Sequence, residues 1–283
     1  MQYGFSIKRK CYLLSVLLMT VWLTGCVQEE FESTPSPAGN GIRFTLTVPD
    51  VNLPSVSSRT MTGTGTAKKE DEIETVDILV FDMSKTPAVY LECVSATGVT
   101  QDLADNSTVS FSAVLSPTTA STCIVVVANK ELDNIVSGFT KGATTKVEAM
   151  EKMLHTQTGK WLADGSTTGG YTRIPMYGEK VISKITPSMD PITGINMKRM
   201  LARIDIRNNS VTSNFTVEEV YLANYNTTGY IAPAWNTNGQ VTEPAPDTPV
   251  LPTGSGKMTE EGDAIRYSVN GNTPYDGEIY TFE

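Results

Sequence analysis

The chain has 283 residues, of which 40% are hydrophobic and 19% charged, and its formal net charge is −9. This length allows two cores of ordinary size, and this balance of residues is typical of a folded protein with a large polar surface. The first 25 residues carry three basic residues and no acidic one, so the rest of the chain has 19 basic against 31 acidic residues. Such an acidic chain repels nucleic acid, and we exclude nucleic acid as a partner bound through charge.

Cysteine and histidine are too few to build a metal site. Two of the four cysteines, Cys11 and Cys26, lie in the N-terminal segment, and His155 is the single histidine. Zinc sites usually take three or four ligands from these residue types, so we predict no metal and no cofactor. The other two cysteines, Cys93 and Cys123, lie in apolar, strand-like runs, where either buried free thiols or a disulfide would fit.

Residues 1–25 have the order of a signal peptide. A basic cluster at residues 8–10 precedes an apolar run that ends in Leu-Thr-Gly-Cys26, and this run is too short to span a bilayer comfortably. The last four residues resemble the bacterial lipobox, whose cysteine is lipidated and becomes the first residue of the mature protein. We therefore predict a lipid anchor at Cys26, followed by a polar, flexible tether over residues 26–40. An ordinary signal peptide with a chance cysteine is the alternative.

The first strand of the body is predicted at residues 42–48, where apolar and polar residues alternate. Ile42, Phe44, Leu46 and Val48 share one face of this strand, and Pro49 ends it. The alternation indicates that one face is buried and the other is not.

An exposed loop follows the first strand. Residues 54–69 are rich in Ser, Thr and Gly without an apolar period, and Arg59 lies within this stretch. From the residues alone, Arg59 is most simply an ordinary loop residue and the preceding segment an edge strand.

Short strands rich in β-branched residues fill most of the remaining body. They are predicted at residues 73–81, 88–94, 109–115, 122–128, 197–206, 215–224 and 278–283. The nearly continuous apolar end of the strand at 73–81 indicates a central position in a sheet.

One helix is predicted, from about Thr145 to His155, with an apolar face formed by Val147, Met150, Met153 and Leu154. His155 is then interpreted as a favourable cap for the dipole at the end of this helix. Many short strands with one helix predict a mostly β protein of β-sandwich architecture, with domains at 41–187 and 188–283.

The order of these landmarks resembles that of the Bacteroidetes fimbrillins, the subunits of the type V pilus. The resemblance extends over nearly the whole chain. Its matching stretches are the lipobox at Cys26, residues 42–48, Ser58-Arg59-Thr60, and residues 73–82, 124–129, 174–178, 199–206 and 279–283.

This resemblance implies two transthyretin-like, Greek-key β-sandwich domains and a lipidated precursor exported to the outer membrane and cell surface. It also implies that an arginine-specific protease cuts between Arg59 and Thr60. Loss of the first strand, with Ile42, Phe44, Leu46 and Val48, then opens a groove for a strand of another fimbrial subunit. The fimbria assembled in this way serves adhesion. Subunits of this family extend well past residue 283, so the second domain is expected to be incomplete.

Two other functions are weighed against a fimbrial one. A glycan hydrolase would need paired carboxylates, but the acidic residues at 71, 72 and 74 fit a solvated turn better, so we predict that the chain is not an enzyme. A surface lipoprotein that binds glycans would present exposed aromatic side chains on a rigid face. Candidates for that role are Trp161, Tyr171, Tyr225, Tyr230 and Trp235.

Overall fold

The computed structural model describes residues 41–48, 70–102, 108–157, 159–162, 172–206, 216–242, 250–252, 264–271 and 275–282. Within these ranges the strands are β1 (Ile42–Thr47), β2 (Val76–Asp82), β3 (Val89–Ser95), β4 (Thr97–Gln101), β5 (Thr108–Ala113), β6 (Thr122–Ala128), β7 (Leu154–Thr156), β8 (Met176–Ile182), β9 (Ile192–Asn196), β10 (Lys198–Arg199), β11 (Leu201–Ile206), β12 (Val217–Leu222), β13 (Thr228–Tyr230), β14 (Ile265–Gly271) and β15 (Tyr275–Phe282). The described helices are α1 (Asp133–Val136) and α2 (Lys146–Lys152).

Two sheets packed face to face confirm the predicted mostly β, sandwich-type architecture. One sheet has the order β4-β5-β1-β9, and the other has the order β10-β8-β6-β2-β3. The side chains between them form a buried apolar cluster that takes residues from both sheets. This cluster is the core of the sandwich, because each sheet hides its apolar face against the other.

The five-stranded sheet is buried on both faces. Strands β2 and β6 point alternate residues into the sandwich core and into a second apolar cluster behind the sheet. Helix α2 contributes Ala149 and Met150 to this second cluster, and Trp161 and Phe282 also pack in it. Coverage on both sides explains why β2 and β6 read as continuous apolar runs, and it confirms the central position predicted for β2.

Beyond Arg199 the described strands pair two by two: β11 with β15, β12 with β14, and β13 with β7. Strands β9 and β10 follow residue 188, yet β9 pairs with β1 and β10 pairs with β8. Elements on both sides of residue 188 therefore share sheets, and the domain boundaries at 187 and 188 stay a prediction.

The predicted helix is shorter than expected. Thr145 is its N-cap, and Thr145 and Glu148 form a reciprocal capping box, but the helix ends at Lys152. His155 lies in β7 opposite Gly229 of β13, so its interpretation as a helix cap was wrong. A second helix, the single turn α1, was not predicted.

The predicted strand at 197–206 is divided at Met200. Strand β10 before it pairs with β8, and β11 after it pairs with β15, so the chain leaves one sheet and enters another at this residue. A continuous apolar pattern does not reveal such a division, because both pieces bury apolar side chains.

Cys93 and Cys123 are both free thiols. They lie on β3 and β6, which pair with opposite edges of β2. Strands that are separated by a third strand are about 10 Å apart, and a disulfide needs Cα atoms within about 7 Å. The geometry therefore resolves the two possibilities in favour of free thiols, and burial raises the pKa of Cys93 to about 12 and that of Cys123 to about 11.

Candidate functional site: the position of strand β1

Strand β1 occupies the interior of the four-stranded sheet. It pairs antiparallel with β5 on one side and parallel with β9 on the other. Its backbone groups are therefore used on both edges, and β1 is not the edge strand that the residues alone suggested. We call the space that β1 fills between β5 and β9 the β1 slot.

The alternation read in residues 42–48 is present in the folded chain. Ile42, Phe44, Leu46 and Val48 are all buried in the sandwich core, while Thr47 is exposed. The four residues that sequence reasoning assigned to the displaced strand thus share one buried face. The strand places a complete row of apolar side chains in the sandwich core. Its loss would expose the core residues that contact this row to solvent.

The walls of the β1 slot were not identified from the sequence. On the β5 side, Phe44 lies opposite Phe111 and Leu46 lies opposite Val109. The rings of Phe44 and Phe111 stack with centroids 5.0 Å apart and planes 8° from parallel. The alternating pattern of β5 was recognised in the sequence, but no local signal shows which strand lies beside it.

On the other side of the slot, β9 is held by β1 and by a close approach to β8. The backbone amide of Met197 donates a hydrogen bond to the carbonyl of Thr47 at 2.8 Å. A side chain at Gly178 of β8 would place its Cβ atom 2.7 Å from Met197 Sδ and 2.8 Å from Ile195 Cγ2. Glycine at 178 is therefore needed for β8 and β9 to lie this close together.

Glu70 lies at the start of the segment that leads into β2, and it bonds to side chains of β10, β11 and β15. Its buried carboxylate accepts hydrogen bonds from Arg203 Nη1 at 3.0 and 2.9 Å and from the Tyr280 hydroxyl at 2.5 Å. Its backbone carbonyl accepts a hydrogen bond from Arg199 Nε at 3.0 Å. These charge-assisted hydrogen bonds hold this segment in place.

A second polar group lies in the protein interior, away from the β1 slot. Lys146 Nζ contacts Glu179 Oε2 at 2.7 Å, and Tyr177 donates to the same oxygen at 2.5 Å. Burial, followed by the charge of Glu179, raises the pKa of Tyr177. Lys146 and Glu179 line a cavity of about 410 Å³ together with Cys123. Because each charge has a partner and the thiol is protonated, the group fits a structural role.

His155 has lost most of its contact with solvent. Its ring packs against Trp161 with centroids 5.0 Å apart, and its Nδ1 atom is buried. Burial, assisted by the nearby charge of Lys130, lowers its pKa to about 4. The imidazole is neutral at pH 7, and it lies on β7, which pairs with β13 in a different sheet from β1.

The aromatic residues proposed for glycan binding do not form an exposed platform within the described part of the chain. Trp161 is buried and donates from Nε1 to the Thr172 carbonyl at 2.9 Å, and Tyr225 is buried as well. Tyr230 and Trp235 pack edge to face, with centroids 4.8 Å apart. Tyr171 lies outside the described residues.

The other predicted sites also fall outside the described ranges. These are the lipidation site Cys26 and the cleavage site at Arg59 and Thr60. The structure places Ile42, Phe44 and Leu46 on β1 and Val48 directly after it. It describes the chain up to residue 48 and again from residue 70, and Arg59 lies between these two points. Among the described helices, none is long and apolar enough to cross a membrane.

Comparisons with known proteins identify one family and several similar structures, including two from Parabacteroides distasonis. Residues 42–199 match the family described as Major fimbrial subunit protein (FimA). A Parabacteroides distasonis protein assigned to cell adhesion is 15% identical, covers 87% of this chain and 71% of its own, and has a TM-score of 0.45. A fimbrial assembly protein from the same organism is 13% identical, covers 83% of this chain and 85% of its own, and has a TM-score of 0.37. No curated protein matches the chain.

Proposed function

Because the matched residues 42–199 make up more than half of its length, the chain belongs to the family of major fimbrial subunit proteins (FimA), and we propose that it is exported as a lipoprotein and assembled by exchange of β1. Membership of this family supports a structural role in a cell-surface fimbria, with other fimbrial subunits as partners, rather than an enzymatic role. The proposal adds three steps. Cys26 is lipidated, an arginine-specific protease cuts between Arg59 and Thr60, and a strand of a neighbouring subunit replaces β1.

The interior position of β1 is the observation that carries the proposal. Strand β1 ends 12 residues before Arg59, so a cut there leaves β1 attached to the rest of the protein through non-covalent contacts alone. No covalent link would then oppose its removal. The segment on the other side of the cut remains fixed at Glu70 by Arg203 and Tyr280.

The energetics favour exchange of β1 over simple loss. Burial of each of the four apolar side chains is worth about 1.5–3 kcal/mol, and β1 also satisfies backbone groups of β5 and β9. An empty slot would lose all of these contacts and expose two strand edges. An incoming strand that supplies similar side chains and backbone groups restores them, as in other complexes formed by strand addition.

Cleavage at Arg59 is tested by digestion of the mature protein with an arginine-specific protease. N-terminal sequencing is expected to find Thr60, and Arg59→Lys is expected to remain uncut at this position while keeping its charge. Arg173→Lys is the matched control. Arg173 is ion-paired with Glu72 and Glu74 and lies away from the predicted cut along the chain, so this variant should be cut after Arg59 like the parent. First cleavage after another arginine in the parent would contradict the proposal.

Lipidation is tested by replacing each cysteine of the N-terminal segment in turn. Cys26→Ala is expected to release the protein from the membrane fraction and to abolish incorporation of labelled fatty acid. Cys11→Ala, within the same segment, is expected to leave both unchanged. Unchanged incorporation of fatty acid in Cys26→Ala would refute this part of the proposal.

A further inference from the structure

The buried positions of β1 have different surroundings. Ile42 lies opposite Ala113 of β5, whereas Leu46 lies between Val109 of β5 and Ile195 of β9. Phe44 lies between Phe111 and Ile192, and it is the only aromatic side chain on this face of β1. In the β1 slot, the position of Phe44 therefore fits an aromatic ring, whereas the positions of Ile42 and Leu46 fit aliphatic side chains.

The ring position has little tolerance for other shapes. Phe44 and Phe111 are both buried, and their rings lie nearly parallel at a distance that is typical of favourable aromatic stacking. A smaller side chain there would leave a void above Phe111. A ring placed instead between Val109 and Ile195 would overfill the closely packed position of Leu46.

The ring position is also off centre. The buried row consists of Ile42, Phe44 and Leu46 of β1 and of Val48, which directly follows the strand, and Phe44 is second of these four in chain order. A strand shifted by two residues, or running in the opposite direction with the same spacing, would bring its ring to a different position. A single off-centre ring can thus distinguish register and direction, which a row of four equivalent aliphatic pockets cannot do.

We propose that the pocket formed by Phe111 and Ile192 selects an aromatic side chain in the strand that replaces β1, and thereby fixes the register and direction of that strand. The partner is a strand of another fimbrial subunit with one aromatic residue in the second of four alternating apolar positions. This inference rests on the proposed function, because it concerns what enters the slot after β1 has left.

The test uses the full mature chain with Ser58-Arg59-Thr60 replaced by the recognition sequence of a site-specific protease, which removes any dependence on the natural cleavage. After the cut, β1 is exchanged in mild denaturant against a fluorescent peptide with the sequence of residues 41–48, GIRFTLTV. Unlabelled peptides then compete for the slot. The decisive competitor is GIRLTFTV, which has the same composition with the ring moved by one pocket.

GIRFTLTV is expected to compete at least about tenfold better than GIRLTFTV, because the second peptide combines a void with overpacking. In Phe111→Leu this ratio is expected to fall below about threefold, since the stacking partner is gone. Thermal unfolding of uncut Phe111→Leu shows whether that variant is folded, and the peptide pair on the unchanged protein tests the inference without it.

The outcomes separate the two ideas. If the two peptides compete equally on the unchanged protein, the inference is overturned while strand exchange stands. If the ratio is the same in folded Phe111→Leu as in the parent, Phe111 is not the selecting residue and the inference is likewise overturned. If no peptide enters the cut protein, both strand exchange and the inference are contradicted.

Discussion

Arg203 donates hydrogen bonds from Nη1 to both carboxylate oxygens of Glu70, at 3.0 Å to Oε1 and 2.9 Å to Oε2. The Glu70 side chain is 4% exposed and that of Arg203 is 17% exposed, so water screens this pair weakly. The pair links the segment before β2 to β11, and the Tyr280 hydroxyl extends the link to β15. Residues that are 133 positions apart in the chain are thus held together by one carboxylate.

Glu70→Gln should lower the free energy of unfolding by about 2–4 kcal/mol. The amide cannot neutralise the half-buried guanidinium of Arg203, and removing one member of a buried ion pair costs more than the pair itself contributes. Urea denaturation measures the change. Glu74→Gln is the control, because its side chain is 61% exposed and its pair with Arg173 should be worth less than about 1 kcal/mol. Equal effects of the two substitutions would show that the Glu70 link is not important for stability.

Gly178→Ala should destabilise the sandwich by about 1–3 kcal/mol, although alanine is usually preferred to glycine inside a strand. The added methyl group would meet Met197 Sδ at 2.7 Å, Ile195 Cγ2 at 2.8 Å and the Asn196 carbonyl at 3.1 Å. Thermal unfolding measures the loss. Gly138→Ala, whose new methyl group would meet one atom at 3.7 Å, should change stability by less than about 0.5 kcal/mol. A stable Gly178→Ala variant would show that β9 is free to move away from β8.

The stability of the protein should decrease as the pH falls from about 6.5 to about 4. His155 has a folded-state pKa of about 4 against an ordinary value of 6.5, so in this range the unfolded chain binds a proton that the folded chain does not. With allowance for its partial exposure, the effect is about 1–2 kcal/mol. Because the chain has one histidine, an NMR titration reports its pKa without ambiguity. A value near 6.5 in the folded protein, or the same acid sensitivity in His155→Gln, would contradict this prediction.

Local patterns predicted several of the strands well, although β4, β9, β13 and β14 were not predicted. The alternation in residues 42–48 identified β1 and its buried face, and the β-branched run at 122–128 identified β6 with the bounds that the structure has. Both elements have a strong local signal, because the sandwich buries one face of β1 and both faces of β6. The helix start predicted at about Thr145 also agrees with the structure, in which Thr145 is the N-cap of α2.

Long-range pairing was not predictable from the same patterns. Met153 and Leu154 continue the apolar period of α2, yet the Met153 carbonyl accepts a hydrogen bond from the Ile231 backbone amide and Leu154 pairs with Tyr230. These contacts to β13 and its end outweigh the local helix preference. For the same reason the sequence did not identify Phe111 as the neighbour of Phe44, since 67 residues separate the two along the chain.

Strand β1 is proposed to leave its slot when subunits assemble. The most direct measurement is the stoichiometry of the N-terminal fragment that ends at Arg59, determined by mass spectrometry in separated monomers and polymers after arginine-specific cleavage. The cut monomer is expected to retain this fragment, because Ile42, Phe44, Leu46 and Val48 remain buried between β5 and β9. The polymer is expected to lack the fragment, because a strand of the neighbouring subunit occupies the slot. A polymer that retains one fragment per subunit would contradict the account.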